Sequence, residues 1–200
     1  MDPSVRNRRE SGASLVELLF VVGVMTTAGA AATPQVLVAV DEFRGAGAAR
    51  YLAARVARLR FEAVARSAFV GLRFTAQNGT YAVETRVDGN GNGIRARDIE
   101  TGTDPLIGSA ELIESHFPGV RFAVTPDVPA VEPGSAAPGS DPIKIGNTSV
   151  LSFSPIGTAT SGSLYLRTSR GNQYVVRVFG ETGRTRVLRL AAGSRTWTPL

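Results

Sequence analysis

The feature that most constrains this chain is an apolar stretch from Ala13 to Val40 in which Glu17 is the only charged residue. About 20 predominantly apolar residues suffice to cross a bilayer as a helix, so the stretch predicts a membrane span near the start of the chain. Leu15, Val16, Leu18, Leu19, Phe20, Val21, Val22, Val24 and Met25 fill its first half, while Ala, Gly and Thr dilute the second. Arg6, Arg8 and Arg9 precede it, followed by Glu10-Ser11-Gly12. Arginines on that side predict a cytoplasmic N-terminus, with the rest of the chain across the membrane. A secretory signal peptide has the same basic start and apolar run, and Ala30-Ala31-Ala32 offers small residues for a cleavage site. Two features argue against that alternative. Glu17 sits inside the apolar core, where a carboxylate is costly and is by default a functional group in need of a partner. The run also continues past the alanines as Gln35-Val36-Leu37-Val38-Ala39-Val40 and merges into a helical pattern.

From Asp41 the pattern is amphipathic. Ala49, Leu52, Val56, Leu59 and Ala63 recur at helical spacing, and Arg44, Arg50, Arg55, Arg58 and Arg66 mostly cover the other sides. One helix from Ser14 to Ser67 is predicted, about 80 Å long at about 1.5 Å per residue. Its first half would lie in the membrane and its second half would pack on a globular domain. Pro34 lacks an amide hydrogen and predicts a kink or local melting within it.

After Ser67 short strands with turn signals take over. Phe69–Thr75 and Tyr81–Val87 flank Asn78-Gly79, a strong hairpin signal. Further strands are predicted at Val120–Val124, Val150–Ser154, Ser163–Thr168, Gln173–Phe179 and Thr185–Leu190. An apolar fraction of 43% supports a modest core. The expected fold is therefore α+β, with a long N-terminal helix packed on antiparallel sheet, in two layers of strands. Thr125–Asn147, rich in Pro, Gly, Ser and Ala, reads as a mobile loop.

Two parts of the sequence resemble a known family. Gly12-Ala13-Ser14-Leu15-Val16-Glu17-Leu18-Leu19 resembles the processing signature of type IV pilins and type II secretion pseudopilins. The resemblance implies cleavage after Gly12 by a prepilin peptidase, N-methylation of Ala13, and a role for Glu17 and Pro34 in assembly. Phenylalanine or methionine is more usual at the position of Ala13. After cleavage the Ala13 amine is a cation, and Glu17 of a neighbouring subunit is its natural partner, because a paired buried charge costs far less than an unpaired one. The second part is Phe117-Pro118-Gly119-Val120, Leu151-Ser152-Phe153-Ser154-Pro155-Ile156-Gly157 with Ser161-Gly162-Ser163, and Gly183-Arg184-Thr185-Arg186. In this order these segments resemble the minor pseudopilin H family, GspH/FimT. Residues 1–12 are then expected to be a leader, 13–67 the long helix with a transmembrane first half, and 68–200 a periplasmic β-rich domain. The implied location is the inner membrane, single-pass. The implied partners are other pilin or pseudopilin subunits, the inner-membrane assembly platform, and the lipid bilayer before assembly. The implied function is structural: a minor pseudopilin subunit in protein transport by type II secretion or in a type IV pilus.

Two constellations bear on binding. Asp88-Gly89-Asn90-Gly91-Asn92-Gly93-Ile94 has the alternating oxygens and the glycine with which a calcium loop begins. The last position of such a loop calls for an acidic residue. That position is Ile99 here, with Asp98 and Glu100 on either side. Two readings stay open: a turn rich in Gly and Asn, or a calcium site on Asp88, Asn90 and Asn92 with Asp98 or Glu100. At the C-terminal end, basic residues from Arg167 to Arg195 stand against Glu181 alone. Some family members in competent bacteria hold DNA with a similar Gly-Arg-x-Arg, which also occurs in secretion-type members. The resemblance thus leaves Arg184 and Arg186, joined by Arg177 and Arg189, as a DNA-binding candidate or a structural strand. Arginine suits phosphate through its planar fork.

Enzymatic readings find little support. His116 is the only histidine, and there is no cysteine, so thiolate and multi-histidine metal sites are excluded. No Gly-x-Ser-x-Gly and no phosphate-binding glycine loop occur. The expectation is a protein that is not an enzyme.

Overall fold

A computed structural model describes residues 14–132, 134–146 and 148–200. The expected leader, with Gly12 and Ala13, lies outside the described residues. The chain divides into two units, Met1–Ala39 and Val40–Leu200.

Helix α1 runs Leu15–Arg66 and is assigned without a break through Pro34, so the local melting expected there is not observed. Its part in the first unit is long and apolar enough to cross a membrane, and none of the residues in that apolar window is buried. The large apolar side chains from Leu15 to Val38 are exposed. The threonines inside this stretch satisfy their hydroxyls locally. Thr27 donates to the Gly23 and Val24 carbonyls at 3.0 and 2.9 Å, and Thr33 to the Gly29 carbonyl at 2.9 Å. Such back-bonding lets a helix carry threonine where no water is at hand.

In the second unit α1 buries Ala48, Ala49, Leu52, Val56, Leu59 and Ala63, each at most 3% exposed. These recur at helical spacing along one stripe and join a single core with the inner faces of the sheets. Each buried Leu or Val contributes roughly 1.5–3 kcal/mol of transfer free energy.

The first sheet is four-stranded and antiparallel. Strands β1 (Val70–Gln77) and β2 (Thr80–Val87) form the predicted hairpin, in register from Val70 opposite Val87 to Gln77 opposite Thr80. Asn78 and Gly79 turn it with φ of 49° and 76°, the positive pair that a two-residue hairpin turn needs. Strand β3 (Leu106–Leu112) follows the short helix α2 (Ala96–Glu100) and pairs with β2. On the other edge β1 pairs with β6 (Val150–Phe153).

The second sheet is built on β7 (Gly162–Thr168), β8 (Gln173–Val178) and β9 (Thr185–Leu190), all antiparallel. Strand β4 (Val120–Phe122), after the short helix α3 (Ile113–His116), and β5 (Ile143–Ile145) both pair with β7, and β10 (Thr198–Pro199) closes the far edge against β9. The segment expected as a mobile loop therefore contains a strand. It also buries Val128, and the Trp197 indole donates to the Pro129 carbonyl at 3.1 Å. Tyr165, Val175 and Leu188 form a second small core on the outer face of this sheet, beneath Val124, Val131 and Trp197. The architecture is α+β, with a long N-terminal helix and antiparallel sheets.

Candidate functional site

The residues singled out by sequence fall in three places. Glu17 lies in the first turn of α1 among exposed Leu15, Val16, Leu18, Leu19 and Phe20. It is surrounded by apolar surface that the chain itself leaves uncovered.

The Asp88 loop leaves β2 and folds back on itself. Asp88 is 7% exposed. Its carboxylate accepts the N–H groups of Asn90, Gly91 and Gly93 at 3.0, 2.8 and 2.7 Å. Burial alone pushes this carboxyl up, but the N–H groups of Gly93, Asn90 and Gly91 outweigh it and hold the carboxyl below its ordinary value of 3.8. Asp104, with no exposed surface, closes the loop by accepting from the Gly89 and Arg95 N–H groups at 3.2 and 3.0 Å. The side-chain amides of Asn90 and Asn92 both reach Asp98, at 3.5 and 3.0 Å. The Asp88 carboxylate is thus taken up by backbone N–H groups while the Asn90 and Asn92 amides donate to Asp98, and Glu100 is exposed on α2. The backbone donors already account for Asp88 and Asp104. Among the described residues no group of three or more His, Cys, Asp or Glu is arranged to hold a metal ion. Sequence reasoning missed Asp104, whose distance along the chain hid its place in the loop.

On the outer face of the second sheet Arg186 stands directly opposite Arg177, and Arg177 opposite Ser163. Arg184 lies two residues before Arg186 and both are exposed. Arg177 is already engaged. It approaches Glu132 at 3.5 Å, donates to the Ser163 hydroxyl at 3.3 Å and lies 5.8 Å from the Phe179 ring centre. Arg189 does not join this group. Its odd spacing from Arg186 sends it to the other face, where it pairs with Glu42 of α1. The glycine of this motif has a packing reason: Gly183 has φ of 61°, and an added Cβ would sit 2.5 Å from the Gly157 carbonyl oxygen. The Phe-Ser-Pro segment and the Gly-Arg-x-Arg segment, far apart in sequence, therefore meet at two glycines.

The fourth place was not foreseen. Glu111 of β3 gathers the Tyr51 hydroxyl at 2.9 Å, the Arg55 guanidinium at 2.6 Å and, more loosely, His116 at 3.9 Å. Burial, then the hydrogen bond to Glu111, raises the Tyr51 phenol above its ordinary value. Arg55 also reaches the Thr85 hydroxyl at 3.3 Å. A cavity of about 380 Å³ opens beside these residues. With Glu111 held by Arg55 and Tyr51, the cluster ties α1 to the edge of the first sheet.

These observations define a class: a folded α+β unit that takes in the second half of a long helix whose first half is apolar and unburied. The chain matches no family, no curated protein and no solved structure.

Proposed function

We propose that the chain is a minor pilin-like subunit, anchored in the inner membrane by the first half of α1 and incorporated through that helix into a periplasmic filament of the type II secretion or type IV pilus kind. The observation that carries this reading is the helix Leu15–Arg66 itself. One half packs in a core, while the other buries nothing and holds Glu17 amid apolar surface. Such a half-helix needs either lipid or the same half-helices of its neighbours. A carboxylate within it needs a cation, and the Ala13 amine of an adjacent processed subunit supplies one. In this reading the span crosses once, the N-terminus is cytoplasmic and the sheet unit is periplasmic. Prepilin peptidase and the assembly platform are the partners before assembly, and sister subunits afterwards. The test is the intact mass of the chain from native membranes. A chain beginning at N-methylated Ala13 supports the pilin pathway; one beginning near Thr33, or uncut at Met1, refutes it.

A second reading, DNA capture by a pilus, is favoured by the cross-strand pair of Arg186 and Arg177, with exposed Arg184 beside it. Replacing Arg184 and Arg186 by alanine should weaken binding to duplexes of any sequence and reduce the slope of log affinity against log salt by about 2. Unchanged affinity and slope would remove this reading and leave the first intact.

A further inference from the structure

The end of the second unit nearest Val40 carries more positive charge than the fold uses. Asp41, the next residue, is 8% exposed. Its carboxylate accepts from the Ser169 hydroxyl, the Arg170 N–H and the Asn172 side-chain amide, each at 3.3 Å. These bonds fasten the turn between β7 and β8 to the point where the chain leaves the apolar segment. Arg44, one helical turn further on, is exposed and reaches the Pro118 carbonyl at 3.5 Å. The Ser169 hydroxyl oxygen also lies 3.4 Å from the Gly119 carbonyl oxygen, which brings in the start of β4. On the strands that meet there, Arg121 of β4 and Arg167 of β7 stand directly opposite each other.

Like charges in that relation destabilise a sheet. Among the described residues no carboxylate lies within 4.0 Å of the guanidinium of Arg44, Arg121, Arg167 or Arg170. The acidic groups at this end offset only part of that charge, since Asp41 and Glu114 stand against four arginines. Asp41 is held by the turn, Glu42 is paired with Arg189, and Glu114 lines an open cavity of about 340 Å³ together with Arg121 and Arg167. A local rule broken with only partial compensation inside the chain marks a surface built for something outside it.

We propose that Arg44, Arg121, Arg167 and Arg170 form a seat for the phosphate headgroups of anionic phospholipid, holding the sheet unit against the membrane before the subunit enters a filament. The inference rests on reading the apolar segment as membrane-inserted. Chain connection then favours lipid over other phosphates. Arg44 follows Val40 by four residues, about 6 Å of helix, so it stands at headgroup depth, and Asp41 fastens the turn carrying Arg170 at the same level. Several separate guanidiniums on an open surface suit a field of phosphates better than one small enclosed anion, and each can grip phosphate through two parallel hydrogen bonds.

The experiment uses the full chain and its R121Q/R167Q variant in nanodiscs of phosphatidylcholine with and without phosphatidylglycerol. Mass spectrometry of the lipid that co-purifies with the chain reads the enrichment of phosphatidylglycerol. Each arginine near an anionic surface contributes about a fivefold factor. The double variant is expected to lower the enrichment by up to about 25-fold, and added salt to lower it in the wild type. Equal enrichment in both proteins overturns the proposal. So does displacement of the lipid by an equal concentration of inorganic phosphate, which would assign the arginines to a soluble anion. Flotation with neutral vesicles separates the two levels of the argument: a chain that fails to float loses the membrane reading, and this inference with it. A chain that floats without enriching phosphatidylglycerol loses this inference alone. The variant should melt no lower than the wild type, since it removes a repulsion.

Discussion

Gly45 decides how closely α1 can approach the second sheet, and replacing it by alanine is the sharpest test of that packing. In an ordinary helix interior this substitution stabilises by roughly 1 kcal/mol. Here an added Cβ would sit 2.3 and 2.8 Å from ring carbons of Tyr174 and 2.6 Å from the Thr168 methyl. Carbon atoms need about 3.5 Å, so the ring must retreat by about 1 Å. Tyr174 has no exposed surface and its hydroxyl donates to the Glu42 carbonyl at 3.2 Å, which leaves the ring no free direction. Overpacking of this kind costs about 3 kcal/mol at the upper end of its range. After the gain in helix propensity the net loss is about 2 kcal/mol, or a fall in Tm of roughly 4–8 °C for a unit of this size. Gly47→Ala is the control. The three atoms nearest its added Cβ all belong to the Phe117 ring, the closest at 3.0 Å, and that ring is half-buried. This variant should melt within a degree or two of the wild type, about 0.5 kcal/mol either way. Thermal denaturation followed by near-ultraviolet circular dichroism reads both. If Gly45→Ala melts at or above the wild-type temperature, helix and sheet are not packed as described.

Three further predictions concern the candidate sites. Asp88→Ala leaves the N–H groups of Asn90, Gly91 and Gly93 without their acceptor; with water reaching the exposed ones, the loss should be about 2 kcal/mol, read as faster amide exchange across residues 88–105. Because the folded carboxyl of Asp88 titrates below its ordinary 3.8, its contribution is complete above that pH and is lost as pH falls through the lower folded value, so the loop should open below about pH 3.8 and not at pH 5. Glu17→Gln should leave membrane insertion intact, since it removes a charge from the apolar segment, yet abolish incorporation into filaments. Cell fractionation with sheared-filament preparations separates these outcomes, and normal incorporation would refute the pairing of Glu17 with the Ala13 amine.

What the sequence made legible depended on whether a single period governed a segment. The stripe Ala49, Leu52, Val56, Leu59 and Ala63 is buried as its spacing predicts, and the Asn78-Gly79 hairpin forms. Strand β9 matches its predicted span, Thr185–Leu190. Strand β3 went unread because Gly108, at φ of 76°, interrupts its alternation, and because most of its side chains face away from the core. Strand β5 has three residues between Pro142 and Gly146, too few for any period to show, and it exists because β7 offers it an edge. The sites follow the same division. Asp88, Asn90 and Asn92 alternate within one loop and could be read directly, whereas the buried Asp104 enters that loop only through the fold. The clearest case is the arginines of β8 and β9. Composition groups Arg177, Arg184, Arg186 and Arg189 as one basic surface, but a strand alternates its faces. Arg189 therefore crosses to pair with Glu42, Arg177 turns to Glu132, and only Arg184 and Arg186 remain without an acidic partner among the described residues. The cations opposite each other at Arg121 and Arg167 show the converse. They are far apart in sequence and unremarkable there, and only strand register makes them neighbours.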